Sequence, residues 1–186
     1  MNIVRSLAVA AVLWIAGLTG AAQAAVVFTN PASSPLAVSG ISGVTSLSWT
    51  GSVSFAIVVT DPQYSTWFPN QSPATVLMGT QSALSNVGQP DTLTAVSNAN
   101  IGGSTVNVTG PSLFNYIAIH QAQGEIILKL TNAVTSFTFT SLNGTAPTTL
   151  SNYRTFLGTT TSVPEPASLA LLGVGLIGLA RISHTE

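Results

Sequence analysis

The middle of this chain is predicted to be all-β, an antiparallel β-sandwich or jelly roll, with an apolar helix at either end. Three observations predict it. Short segments alternate apolar and polar residues with period two. Gly, Pro and Asn turn signals separate them at roughly 8–12-residue spacing, as in sandwiches and barrels. No stretch between the two ends shows a helical period.

Composition limits what such a domain can do. Only 5% of the 186 residues are charged, against about a quarter in an ordinary soluble domain. The 46% of hydrophobic residues is too many for a disordered chain. Cys is absent, which excludes disulfide staples, a thiolate nucleophile and Cys-ligated metal. A net charge of −1 offers no basic stripe, so no nucleic-acid partner is expected.

The N-terminal segment 1–24 reads MNIVRSLAVAAVLWIAGLTGAAQA. Arg5 precedes an apolar run from Leu7 to Leu18, and small residues follow, ending Ala22-Gln23-Ala24. That order is the charged, apolar and A-x-A plan of a secretory signal peptide, cut by signal peptidase after Ala24. The apolar run is shorter than the about 20 residues of a membrane span.

A single sandwich domain is expected over 25–158, followed by a Thr/Ser linker at 159–163. Its clearest strand is 52–60, with Val53, Phe55, Ile57 and Val59 on one face. Segment 134–141 turns Phe137 and Phe139 inward, and 105–109 alternates through Val106 and Val108. Weaker strands are expected at 25–29, 44–49, 75–79, 92–96 and 153–157. Turns are expected at Thr50-Gly51, Asp61-Pro62, Gln89-Pro90-Asp91, Gly102-Gly103, Gly110-Pro111 and Asn143-Gly144.

The best-defined unit is a hairpin over 115–131, NYIAIHQAQGEIILKLT. Its loop is Gln121-Ala122-Gln123-Gly124, with Gly124 available for a positive φ. Tyr116, Ala118 and His120 share one face, and Ile117 and Ile119 the other. On the return strand Ile126, Leu128 and Leu130 oppose Glu125, Ile127 and Lys129.

The groups available for catalysis are few. His120 is the one His between the two end segments, so a Ser-His-Asp triad would need it, oriented by Asp61 or Asp91. No G-x-S-x-G elbow occurs, and Gly102-Gly103-Ser104 lacks the Lys of a phosphate loop. Asp61, Asp91 and Glu125 sit in no glycosidase-like motif. His120 and Glu125 face each other across the hairpin, as a cross-strand polar pair or as half of a metal site. No catalytic residue, metal or cofactor is expected.

Segment 61–73, DPQYSTWFPNQSP, carries Tyr64, Trp67 and Phe68 between three prolines. Two readings apply. The rings plug one end of the sandwich core, or they form a sugar-stacking platform beside Asn and Gln donors.

The C-terminal segment 164–186 has three parts in order. Pro164-Glu165-Pro166 comes first, an apolar stretch over 167–180 follows as a membrane helix, and Arg181 closes it. Pro suits a first helical turn, Glu165 lies at the positive end of the helix dipole, and Arg181 favours the cytoplasmic side. VPEPASLALLGVGLIGLAR resembles the PEP-CTERM sorting signal of exported proteins in Gram-negative bacteria that make exopolysaccharide. The family pattern usually ends in an Arg cluster, whereas Ile182, Ser183, His184, Thr185 and Glu186 follow Arg181 here.

The resemblance implies transient anchoring in the inner membrane, processing by an exosortase near Pro164-Glu165-Pro166, and release to the cell surface or extracellular matrix. A structural, non-catalytic role is then expected, with exopolysaccharide as a partner. A carbohydrate-binding module using Tyr64, Trp67 and Phe68 is the alternative. Edge strands without Lys or inward charge also favour self-association.

Overall fold

A computed structural model describes residues 26–159. The two terminal helices expected from the sequence, the signal-cleavage residues Ala22 and Ala24, and the tail residues Pro164, Glu165, Pro166 and Arg181 lie outside the described residues.

In chain order the elements are β1 (Val27–Thr29), β2 (Leu36–Ala37), β3 (Ser46–Thr50), β4 (Val53–Thr60), α1 (Gln63–Trp67), α2 (Pro73–Asn86), β5 (Thr92–Asn100), β6 (Thr105–Gln121), β7 (Gly124–Asn143), β8 (Ala146–Pro147) and β9 (Asn152–Thr159). The strands form one nine-stranded sheet with the main order β1-β4-β7-β6-β9-β5. Every pairing is antiparallel, in keeping with the all-β expectation.

Hydrogen bonding joins what period-two alternation had divided. Segments 105–109 and 115–120 are one strand, β6, and 125–131 and 134–141 are both parts of β7. The expected turn at Gly110-Pro111 is instead an irregularity inside β6, where the register shifts between Thr109 and Phe114 and again before Tyr116. A bulge tolerates Pro because the ladder is interrupted there, and bulges bend strands. The half of the hairpin near its tip pairs with β4 and β9, and the other half pairs with β3. Leu47 of β3 and Val108 and Phe139 from the second half join Ile117, Ile119, Ile126 and Leu128 from the first in one core. The bend therefore brings two parts of a single sheet against each other, where two separate sheets were the simplest sandwich.

The opposite face carries Phe55, Ile57, Val59, Tyr116, Ala118, Ile127 and Phe156, and two helices cover it. The β4 bulge between Val53 and Phe55 sends Val53 to the first core with Ala56 and Val58. Strict alternation had placed Val53 beside Phe55.

The helices correct the sequence reading. Segment 75–79 belongs to α2, not to a strand, and α1 lies within the expected aromatic loop. Ser72 caps α2 by accepting a hydrogen bond from the Thr75 N–H at 3.2 Å, and Pro73 opens the first turn. The buried face is Val76, Gly79, Thr80, Ala83 and Leu84, mostly small, so it shows little apolar contrast in the sequence. Gly79 allows the helices to meet: a Cβ there would lie 2.5 Å from the Trp67 carbonyl oxygen.

The hairpin turn is tighter than expected. Gln121 pairs with Gly124, leaving Ala122 and Gln123 as the loop. Positive φ falls on Ala122 (50°), not on Gly124. Gly124 is needed for close approach, since a Cβ there would collide with the Ile41 side chain.

Candidate functional site

Four of the five charged residues in the described domain fall into two groups, Glu125 with Arg154 beside His120, and Lys129 with Asp91. Their strand positions explain this. Glu125 and Lys129 alternate with Ile127 on β7, and Arg154 precedes Phe156 on the same face of β9.

The first group lies under α1. His120 and Glu125 are register partners, with Nδ1 3.5 Å from Oε2. That is an ion-pair distance, too long for a good hydrogen bond. The Tyr64 ring stacks on His120 at 5.6 Å between centroids, and its hydroxyl lies 3.2 Å from Nδ1. Gln71 Nε2 donates to that hydroxyl at 3.2 Å, and Arg154 donates to the Gln71 carbonyl oxygen. Glu125 is fully buried, and burial raises its carboxyl pKa against the opposing pull of His120 and Arg154. Burial likewise raises the Tyr64 phenol, with the Gln71 hydrogen bond opposing.

His120 Nδ1 faces the Gly124 carbonyl (3.2 Å), Tyr64 and Glu125, and among the described residues no serine hydroxyl is bonded to the ring. Asp61, one of the two residues proposed to orient a triad, holds α1 by accepting from the Ser65 N–H at 3.1 Å and from its hydroxyl. Asp91 belongs to the second group, with Lys129 and Tyr116. Among the described residues, no group of three or more His, Cys, Asp or Glu could hold a metal ion.

The aromatic segment splits in two. Phe68 (1% exposed) and Tyr64 (9%) enter the core and stack on each other at 5.7 Å. Trp67 is half-buried and borders a shallow open surface with Met78, Gln81, Ser82, Ser85 and Asn86 of α2. Five-residue α1 separates these fates, because neighbouring helical positions point in different directions. The α2 side of this surface was not anticipated, since 75–79 read as a strand; Ser72-Pro73 followed by an unbroken run to Gly88 is the signal that marks it.

None of the described helices is long and apolar enough to cross a membrane. No curated protein and no solved structure matches the chain. Residues 162–182 match a family description, the PEP-CTERM protein-sorting motif, and this span contains Pro164, Glu165, Pro166 and Arg181. The chain thus carries, directly after its β domain, the sorting signal of an exported exosortase substrate.

Proposed function

We propose that this protein is a non-catalytic component of the cell surface or extracellular matrix, delivered there by exosortase processing of its tail. The observation that carries the reading is the sorting motif at 162–182, a few residues past the last strand of a folded β domain. The pairing of His120 with Glu125 beneath the Tyr64 ring supports a structural role for these charges. The nine-residue outer strand β5, TLTAVSNAN, bears no charge and hydrogen-bonds only to β9 among the described strands, which favours self-association within a matrix. Intact-mass measurement of the exported protein tests the sorting step. Loss of both the segment before Ala25 and the segment carrying Arg181 is expected, the second loss only in cells with an active exosortase. An exported species retaining Arg181 would overturn it.

Exopolysaccharide binding is a second reading, favoured by the Trp67 ring beside the Gln81 and Asn86 amides. Tyr64 and Phe68 contribute by holding α1, not by touching sugar. Co-sedimentation with purified exopolysaccharide should be lost on Trp67→Ala, and binding unchanged by that substitution would exclude this surface.

A further inference from the structure

Lys129 is the only lysine in the chain. Lysine is ordinarily the most solvent-seeking of residues, yet this one is 8% exposed, and its Nζ has no hydrogen-bond acceptor. Nζ stands 4.0 Å over the Tyr116 ring and 3.8 Å from Asp91 Oδ2. The Asp91 side chain is itself 6% exposed.

The pocket around these groups is built for close contact. Tyr116 Oη donates to Asp91 Oδ2 at 2.8 Å, and Thr159 Oγ1 lies 3.5 Å from Oδ1. Gly158 lies directly beneath: any Cβ there would strike both the Asp91 carboxylate and the Tyr116 ring. Asn115 pins that glycine, donating to its carbonyl at 3.3 Å and accepting from its N–H at 2.7 Å.

We propose that Lys129 and Asp91 condense into an intramolecular amide, a covalent cross-link in a chain that has no cysteine. The ammonium passes one proton to the carboxylate, giving a neutral amine and a carboxylic acid. Nζ then attacks Cγ, a C–N bond forms, and the bond from Cγ to Oδ2 breaks. Nitrogen passes a second proton to the departing oxygen and keeps the third as the amide N–H. One water leaves, Oδ1 becomes the amide carbonyl, and no oxidant or reductant is used. The Tyr116 hydroxyl polarises the leaving oxygen and is unchanged at the end.

Burial supplies the drive. A desolvated ion pair is costly to hold, and condensation replaces two buried charges by a neutral amide. Burial also lowers the Lys129 pKa, against the opposing pull of Asp91, which favours the neutral amine that attacks. The product would tie the residue preceding β5 to β7 across β9 and β6.

The test uses the exported protein, fully denatured. Peptide mapping should recover a branched peptide joining Asp91 to Lys129, one water lighter than its two parts. An amine-reactive ester should label only the α-amino group. In Lys129→Met and Asp91→Ala variants the branched peptide should vanish, and Tyr116→Phe should accumulate the uncondensed form. Because the wild type is read after denaturation, a variant that misfolds does not obscure the result. Linear peptides of full mass with Lys129 labelled would overturn the proposal, as would a lost water with Lys129 still reactive. The diagnostic peptide lies far from both processed ends, so its presence does not depend on tail sorting.

Discussion

Tyr64 and His120 lie face to face, 5.6 Å apart and 12° from parallel, and this contact fastens α1 to the tip of the β6–β7 hairpin. The phenol adds two polar contacts of 3.2 Å, to His120 Nδ1 and from Gln71 Nε2. Tyr64→Phe keeps the stack and loses both contacts, so a loss of about 1 kcal/mol is expected. Tyr64→Ala removes the ring and should lose about 3–5 kcal/mol, as for other large aromatic truncations. Urea midpoints of the two variants check the difference.

Glu125 sets a pH dependence of stability. Burial raises its carboxyl pKa above that of an ordinary glutamate, so the folded state holds the proton more tightly than the unfolded state does. Below the unfolded pKa this contribution is fully present; it falls away as pH rises through the folded pKa. Melting temperature should therefore decline as pH rises from the ordinary carboxylate range, while Glu125→Gln should flatten that slope. A Gln variant with the wild-type pH slope would show that Glu125 is not its source.

Gly79 is expected to resist any larger residue. A Cβ would lie 2.5 Å from the Trp67 carbonyl oxygen and 2.6 Å from Phe68 Cε1, so the helices would have to part. Gly79→Ala should cost about 1–3 kcal/mol, despite alanine's better helix propensity. Denaturant unfolding gives the sign, and a stabilised variant would mean that α1 does not pack here.

Ala122 holds φ at 50°, a conformation that disfavours ordinary L-residues by roughly 1–2 kcal/mol. Ala122→Asn or Ala122→Gly should raise the melting temperature, because both tolerate this region. The same substitution at Gln123 should not help, since its φ is not positive.

Much of the fold was legible where neighbouring residues carry the signal. The 115–131 hairpin shows on each strand the alternation that the two cores later separate, with Ile117 and Ile119 on one side and Tyr116 and Ala118 on the other. Two kinds of feature were not legible. The α2 face is built from Gly79, Thr80 and Ala83 as well as Val76 and Leu84, and such small residues leave a weak helical pattern. The bulges that turn Val53 over and join 105–109 to 115–120 depend on partner strands remote in sequence. For the candidate site, the His120–Glu125 pairing could be read because a short turn fixes it. Lys129 and Asp91 could not be matched, because they come from distant segments that meet only through β6 and β9.

The last strand, β9, has a mechanical consequence. It is hydrogen-bonded on both sides, to β6 through Asn152–Phe156 and to β5 through Asn152–Thr159, and the sorting motif begins at residue 162. Tension applied through the tail along β9 therefore meets the β5 ladder first, at Thr159 to Leu157, and both ladders from Phe156 inward. An outer strand would peel one bond at a time. A pull on the C-terminal end is thus shared with a second strand once it passes the last three residues of β9.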